Sequence, residues 1–311
     1  MSRPVADLVA RVEEAVREVS SSLLEPRAGV LAADEVRAKS PGEIVTVADL
    51  EAEAELGSRL AALWPGTPVV GEEACARAPC LLGALSSERA WLLDPLDGTT
   101  NFVAGRGEWA VMVALLERGL PVASWIWLAT RRRMYVAERG QGASRDGLSL
   151  RRPPPGRSAA ELCGRVLTGF VDPPAAAELA ANGRRFARVG PGSRCAGADY
   201  PAVAEGDEDF VFYWRTLAWD HAPGALLVEE AGGAVRRLDG ARYLPGDAAE
   251  GLLVAADETS WEVAREALLG PRSTPAGPSA SRGRPGEPPS GAVPARPPLP
   301  AAPTGEDQGA A

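Results

Sequence analysis

Valines and leucines recur at every third or fourth position near the start of the chain, at Val5, Leu8, Val9, Val12, Val16, Val19 and Leu23. That spacing predicts an amphipathic helix, because about 3.6 residues per turn bring those positions onto one face. A second helix is predicted from near Asp49 through LEAEAELGSRLAALW to Pro65. TPVVGEE then reads as a short strand, and AWLL at 90–93 as another that ends on Asp94, with Pro95 turning the chain away. WAVMVALLERG, PVASWIWLAT and RMYVAERGQGA, each closed by Gly, Pro or Arg, predict a meander of strands. After a Pro/Gly-rich break at 153–157, CGRVLTGF predicts a strand and AAAELAANGRRF a helix. A last helix starts after Trp219-Asp220 and stops at Gly232-Gly233, as helix C-termini often do. Strands and helices interleave without an internal repeat, so a layered, mixed α/β (α+β) fold is expected.

The periodicity stops near residue 270. Residues 271–311 hold 11 of the chain's 28 prolines and no aromatic residue, Ile or Met. Such a segment buries too little apolar surface to offset the entropy of ordering it. The expected organisation is a folded domain over 1–270 and a disordered Pro/Ala/Gly-rich tail over 271–311. PxxP spacings at Pro294, Pro297 and Pro300 suit a recognition ligand, but a solvated tail is the expectation.

A net charge of -9 argues against nucleic-acid binding, which needs clustered cations. The Arg131-Arg132-Arg133 run is too short to change that. Lys39 is the only lysine among 33 basic residues. No apolar run approaches the ~20 residues of a membrane span, and MSRPVADLVARVEEAVREV lacks a signal-peptide core. No membrane association and a cytoplasmic location are therefore expected. Cys75, Cys80, Cys163 and Cys195 suggest reduced, partly buried thiols rather than a disulfide framework or a zinc site.

Acidic residues cluster where apolar runs end: Glu72-Glu73 after PVVG, Asp94 and Asp97 around Pro95-Leu96, and Asp220 after Trp219. Taken singly, each is most simply a solvated strand end. Taken together, converging carboxylates repel unless a cation lies between them, and their oxygens are the ligands hard cations such as Mg²⁺ prefer. Gly98-Thr99-Thr100-Asn101 reads as a helix start whose N–H groups face an anion. Metal-binding carboxylates beside phosphate-binding N–H groups point to a phosphate-ester site.

GEE at 71–73, DPLDGTTNFV at 94–103 and WDHAPGALLVEEAGG at 219–233 resemble the signatures of the inositol monophosphatase family of magnesium-dependent, lithium-sensitive sugar phosphatases. AKSPGEIVTVADLEAE, with Lys39, Val45, Thr46 and Asp49, resembles that family's N-terminal motif, one residue shorter between Lys and Asp. The likeness runs over about residues 5 to 268. It implies a layered α/β/α/β/α sandwich, two or three Mg²⁺ ions, inhibition by Li⁺ and a homodimer. It further implies that Glu72, Asp94 and the Leu96 carbonyl hold one metal, while Asp94, Asp97 and Asp220 hold a second. The Gly98 and Thr99 N–H groups would bind phosphate, and Thr99 and Asp49, with Glu73, would orient and deprotonate the attacking water.

Members specific for inositol phosphate carry a glutamate shortly before the WD motif. Here the stretch reads FVFYWRTLAWD, with Tyr213, Trp214 and Arg215 in that neighbourhood. Arg215 is expected to line the leaving-group pocket and Ser193 to lie near the substrate. The activity implied is hydrolysis of inositol-1-phosphate or a related polyol phosphate. Fructose-1,6-bisphosphate, histidinol phosphate, 3'-phosphoadenosine 5'-phosphate and a non-catalytic scaffold are the alternatives. His221, the only histidine, is expected to pack or hydrogen-bond at a helix start.

Overall fold

The computed structural model describes residues 6–270 apart from Pro41 and Ala248; Val5 and the tail predicted over 271–311 lie outside the described residues. The first apolar stripe forms α1 (Ala6–Val19), with Val12, Val16 and Val19 fully buried. A hairpin follows, β1 (Val36–Ser40) antiparallel to β2 (Glu43–Thr46). Thr46 caps α2 (Val47–Leu63): its Oγ1 accepts from the Ala48 and Asp49 N–H groups, and the Asp49 carboxylate accepts from the Thr46 N–H at 2.9 Å. This reciprocal cap satisfies donors that a helix start leaves unpaired, and it fixes Asp49.

Next come β3 (Val69–Gly71), α3 (Glu72–Arg77), β4 (Arg89–Asp97) and α4 (Thr99–Val103). The predicted meander forms β5 (Ala110–Glu117), β6 (Leu120–Leu128) and β7 (Arg133–Glu138), extended by β8 (Gly142–Arg145) and β9 (Leu148–Leu150). These strands build one seven-stranded sheet in sequence order, β3 to β9. In β5, Val111, Val113 and Leu115 face one core cluster while Ala110 and Met112 face another, so both faces of the sheet are covered.

Pro95 does not end its strand. β4 runs on to Asp97, with Asp94 opposite Met112 and Asp97 opposite Ala110, so one extra residue bulges out between them. A proline at a bulge removes no ladder hydrogen bond, and the Leu96 N–H is satisfied by Asp94 Oδ1 at 2.9 Å. The bulge, rather than a strand end, sets the spacing of the two aspartates.

The second half comprises β10 (Cys163–Val166), α5 (Pro173–Asn182), β11 (Arg188–Gly190), α6 (Ala196–Glu205), β12 (Phe210–Tyr213), α7 (Ala218–Glu230), β13 (Ala234–Arg236), β14 (Leu252–Ala255) and α8 (Glu258–Leu269). Its five strands order as β11-β10-β12-β14-β13. α1 and α2 cover the outer face of the larger sheet, and α6 and α7 lie between the sheets. α5 and α8 cover the outer face of the smaller one. The layers are therefore α/β/α/β/α, as the resemblance implies. No helix among the described residues is long and apolar enough to cross a membrane.

Candidate functional site

The polar residues singled out from the sequence meet at the bulged end of β4. Asp94 is almost fully buried. Its carboxyl is pushed well above the ordinary range, first by burial and then by repulsion from Glu72, Asp97 and Asp220. Burial pushes Asp97 up to about 7, against hydrogen bonds from the Gly197 N–H, at 2.6 Å, and from Cys195. Asp220, in the first turn of α7, is likewise raised by burial and by Asp97 and Glu72. Mutual repulsion of this kind arises only between carboxylates that share one region.

Lys39 supplies positive charge at one edge. Its Nζ donates to Glu72 Oε1 at 2.8 Å and Glu73 Oε1 at 2.9 Å. Burial opposes the charged ammonium, but the paired glutamates win and hold its pKa above the ordinary lysine value. Glu73 is placed from behind by Glu53, whose Oε2 accepts the Glu73 N–H at 2.7 Å. Gly71 leaves room for this contact: a Cβ there would lie 2.3 Å from Glu53 Oε2.

Among the described residues, no three histidine, cysteine or acidic side chains stand preassembled as a ligand shell. The carboxylates are engaged locally instead: Glu72 and Glu73 with Lys39, Asp94 with the Leu96 N–H, Asp97 with the Gly197 N–H. The donor set nonetheless fits a hard divalent cation. All its side-chain donors are oxygens, and its members raise one another's pKa for want of such charge.

Gly98 caps α4 in the left-handed conformation, at φ +86°. A Cβ there would also approach the Glu108 carbonyl oxygen to 2.8 Å, so only glycine suits the position. The first bonds within α4 run from the Asn101 and Phe102 N–H groups to the Gly98 carbonyl, so the N–H groups of Gly98 and Thr99 precede them. Thr99 Oγ1 lies 3.1 Å from Asp49 Oδ1 and 3.0 Å from the Leu96 carbonyl oxygen. Burial pushes Asp49 up to about 7 despite its hydrogen bonds from Thr46.

Ser193 is brought to the same place by Asn101, whose Nδ2 donates to the Ser193 carbonyl at 3.0 Å and to the Glu108 carbonyl at 2.7 Å. The Ser193 hydroxyl itself is turned to the Cys195 carbonyl, at 2.7 Å. Arg215 lies on the segment before α7, ion-paired with Glu43 of the hairpin and stacked 4.0 Å from the Phe170 ring centroid. His221 is buried; its Nδ1 lies 2.8 Å from the Tyr200 hydroxyl and its Nε2 3.1 Å from the Arg215 carbonyl. Burial lowers it to about 3, so it packs and hydrogen-bonds as a neutral ring.

Sequence reasoning missed Glu43, Phe170, Gly197 and Glu53. Gly197, in the stretch GSRCAGADY that also carries Ser193, has no local mark of its role. A Cβ there would lie 2.5 Å from Ala110 Cβ, so the close approach that delivers its N–H to Asp97 needs glycine.

Five alternating layers with an acidic cluster at a bulged strand end define a sugar-phosphatase type of fold. The chain belongs to the inositol monophosphatase family, whose profile matches residues 5–272. It is 33% identical over 218 residues to the putative Nus factor SuhB of Neisseria meningitidis serogroup B, covering 68% of this chain and 80% of that protein. Among solved structures it resembles extragenic suppressor protein suhB of Bartonella henselae, with a TM-score of 0.73 at 24% identity, over 85% of this chain and 99% of that one. An IMPase of Thermotoga maritima matches with a TM-score of 0.69 at 24% identity, over 83% and 98%. An IMPase/NADP phosphatase in complex with NADP and Ca²⁺ matches with a TM-score of 0.70 at 19% identity, over 85% and 94%.

Proposed function

We propose that this protein is a Mg²⁺-dependent phosphomonoesterase acting on inositol-1-phosphate or a related polyol phosphate. The observation that carries this reading is the set of mutually repelling carboxylates, Glu72, Asp94, Asp97 and Asp220, beside the open start of α4. Glu72, Asp94 and the Leu96 carbonyl would hold one cation, and Asp94, Asp97 and Asp220 a second. Bound divalent cations supply an acidified water and neutralise charge on the transferring phosphoryl group.

The protein's own residues do the rest. The Gly98 and Thr99 N–H groups receive phosphate oxygens, adding the small positive potential of a helix start. The Thr99 hydroxyl, held between Asp49 and the Leu96 carbonyl, orients the attacking water, and its proton passes toward the Asp49 carboxylate. Glu73, fixed by Lys39 and Glu53, assists. Fructose-1,6-bisphosphate, histidinol phosphate and 3'-phosphoadenosine 5'-phosphate remain substrates of the same class. The same reading carries a cytoplasmic homodimer inhibited by Li⁺, checked by light scattering and by assay with added lithium.

The test is phosphate release from a panel of these esters with and without Mg²⁺, with Asp94→Asn as control. Turnover that needs Mg²⁺ and is lost in the control supports the reading; no turnover on any ester, with Mg²⁺ shown to bind, defeats it. A non-catalytic scaffold is the second reading, favoured by the Nus factor name of the Neisseria relative. Deletion of 271–311 should spare hydrolysis and abolish only a tail-borne interaction.

A further inference from the structure

Arg215 is held in a way that its sequence position does not explain. Its guanidinium stacks on Phe170, a ring left 56% exposed, and pairs with Glu43 on the β1–β2 hairpin. Both side chains of the pair stay partly open to solvent, 37% for Arg215 and 26% for Glu43. The Arg215 carbonyl lies 3.1 Å from Nε2 of His221, the neighbour of Asp220, so the segment that carries Arg215 borders the acidic cluster. Alongside lies a groove of about 630 Å³ lined by Lys39, Gly42, Glu43, Ile44 and Thr100, next to Thr99.

Stacking fixes the plane of the guanidinium and leaves its edge for bidentate contact with an oxyanion. In the free protein Glu43 occupies that edge. Glu43 keeps a second contact, from the Ser40 hydroxyl at 2.5 Å, and an ion pair open to solvent on both sides contributes little, so Glu43 is an exchangeable partner of Arg215. A ligand oxyanion meeting the same edge would displace it.

We infer that Arg215 is a specificity-determining residue that binds a second anionic group on the alcohol part of the substrate, and that Glu43 holds its place until the substrate arrives. This rests on the phosphatase reading of the neighbouring site and narrows its substrate class. The preferred esters carry a carboxylate or a second phosphate on the leaving group, and neutral polyol phosphates are poorer substrates.

The experiment compares kcat/KM for matched esters on the full chain with Mg²⁺. Fructose-1,6-bisphosphate against fructose-1-phosphate tests a second phosphate, and 2-phosphoglycerate against glycerol-2-phosphate tests a carboxylate. The readout is the ratio within each pair on one preparation, which cancels any difference in folded fraction. Wild type is expected to favour at least one anionic member by about 10- to 100-fold, the range for a charged hydrogen-bonded contact of ~1.5–3 kcal/mol. Arg215→Ala should bring that ratio near one, Arg215→Lys should retain part of it, and Glu43→Gln should raise it. A wild-type ratio near one in both pairs, or a ratio unchanged in Arg215→Ala, overturns the inference. If wild type hydrolyses nothing, the phosphatase reading fails by itself. Calorimetric binding of the same four compounds then decides the inference: discrimination lost in Arg215→Ala sustains it, and none in wild type removes it.

Discussion

Thr99 Oγ1 lies 3.1 Å from Asp49 Oδ1, joining the first turns of two helices that start from different strands. The hydroxyl has one proton and two acceptors, Asp49 and the Leu96 carbonyl at 3.0 Å. Asp49 in turn is gripped by the Thr46 N–H and hydroxyl. Hydroxyl and carboxylate thus form a unit whose direction is set by the cap of α2.

Thr99→Val and Asp49→Asn should each lower kcat for Mg²⁺-dependent phosphate release by about 10²- to 10⁴-fold, the usual worth of positioned proton transfer, with a smaller change in KM. Because the two act together, the double variant should be little worse than the poorer single one. Effects that multiply in the double variant would show two independent roles.

The motif between Asp94 and Asn101 was legible because its chemistry is local. Two aspartates, a proline and a left-handed glycine cap lie within a few residues, and backbone geometry alone places them. Asp49 was legible only through the likeness of AKSPGEIVTVADLEAE to the family's N-terminal motif; the Thr46 cap that fixes it is seen in the structure. Glu43, Phe170 and Gly197 were not, because each acts on a partner far along the chain: Gly197 meets Asp97 across 100 positions and Glu43 meets Arg215 across 172. The smaller sheet was only partly legible. β12, β13 and β14 are three or four residues long, too short for period-two patterning to declare itself, and their pairing order departs from sequence order. Pro95 misled because the rule that proline leaves a strand does not hold at a bulge.

Lys39 stands where two glutamates would otherwise repel each other. Lys39→Met should destabilise the metal-free protein by about 1–3 kcal/mol, the cost of leaving buried charge unpaired. The same change removes the ammonium that competes with a cation for Glu72, so added Mg²⁺ should raise the melting temperature of the variant more than that of wild type. Differential scanning fluorimetry across a Mg²⁺ titration reads both effects, and an equal Mg²⁺ shift in the two proteins would contradict the competition.

His221 gives stability a defined acid dependence. Its folded pKa is lowered to about 3 by burial, from an ordinary value of 6.5, so between those values the unfolded chain binds more protons than the folded one. Stability from this residue is fully present above pH 6.5 and declines as pH falls toward 3, by up to about 1.4 kcal/mol per pH unit. Chemical denaturation at several pH values should show a shallower acid decline for His221→Asn than for wild type, even though the variant is less stable at pH 7. Parallel declines would mean that the carboxyl groups alone set the acid limit.

Gly224 decides how closely α6 and α7 approach. A Cβ at this position would lie 2.1 Å from Tyr200 Cγ. The tyrosine ring has nowhere to go: it is fully buried, stacked on Tyr213 with centroids 5.5 Å apart, and tied through its hydroxyl to His221. Gly224→Ala must therefore push the two helices apart, and overpacking of this kind costs about 1–3 kcal/mol. In a domain of this size that is a fall of roughly 2–12 °C in Tm. α6 delivers the Gly197 N–H to Asp97 and α7 carries Asp220, so the separation also spreads the acidic cluster. Phosphate release should fall with Tm, and higher Mg²⁺ should recover part of it. Gly246→Ala is the control, because a Cβ at Gly246 meets nothing within 4 Å and its φ lies outside the left-handed region. If Gly224→Ala melts and turns over like Gly246→Ala, the α6–α7 contact does not hold the candidate site together.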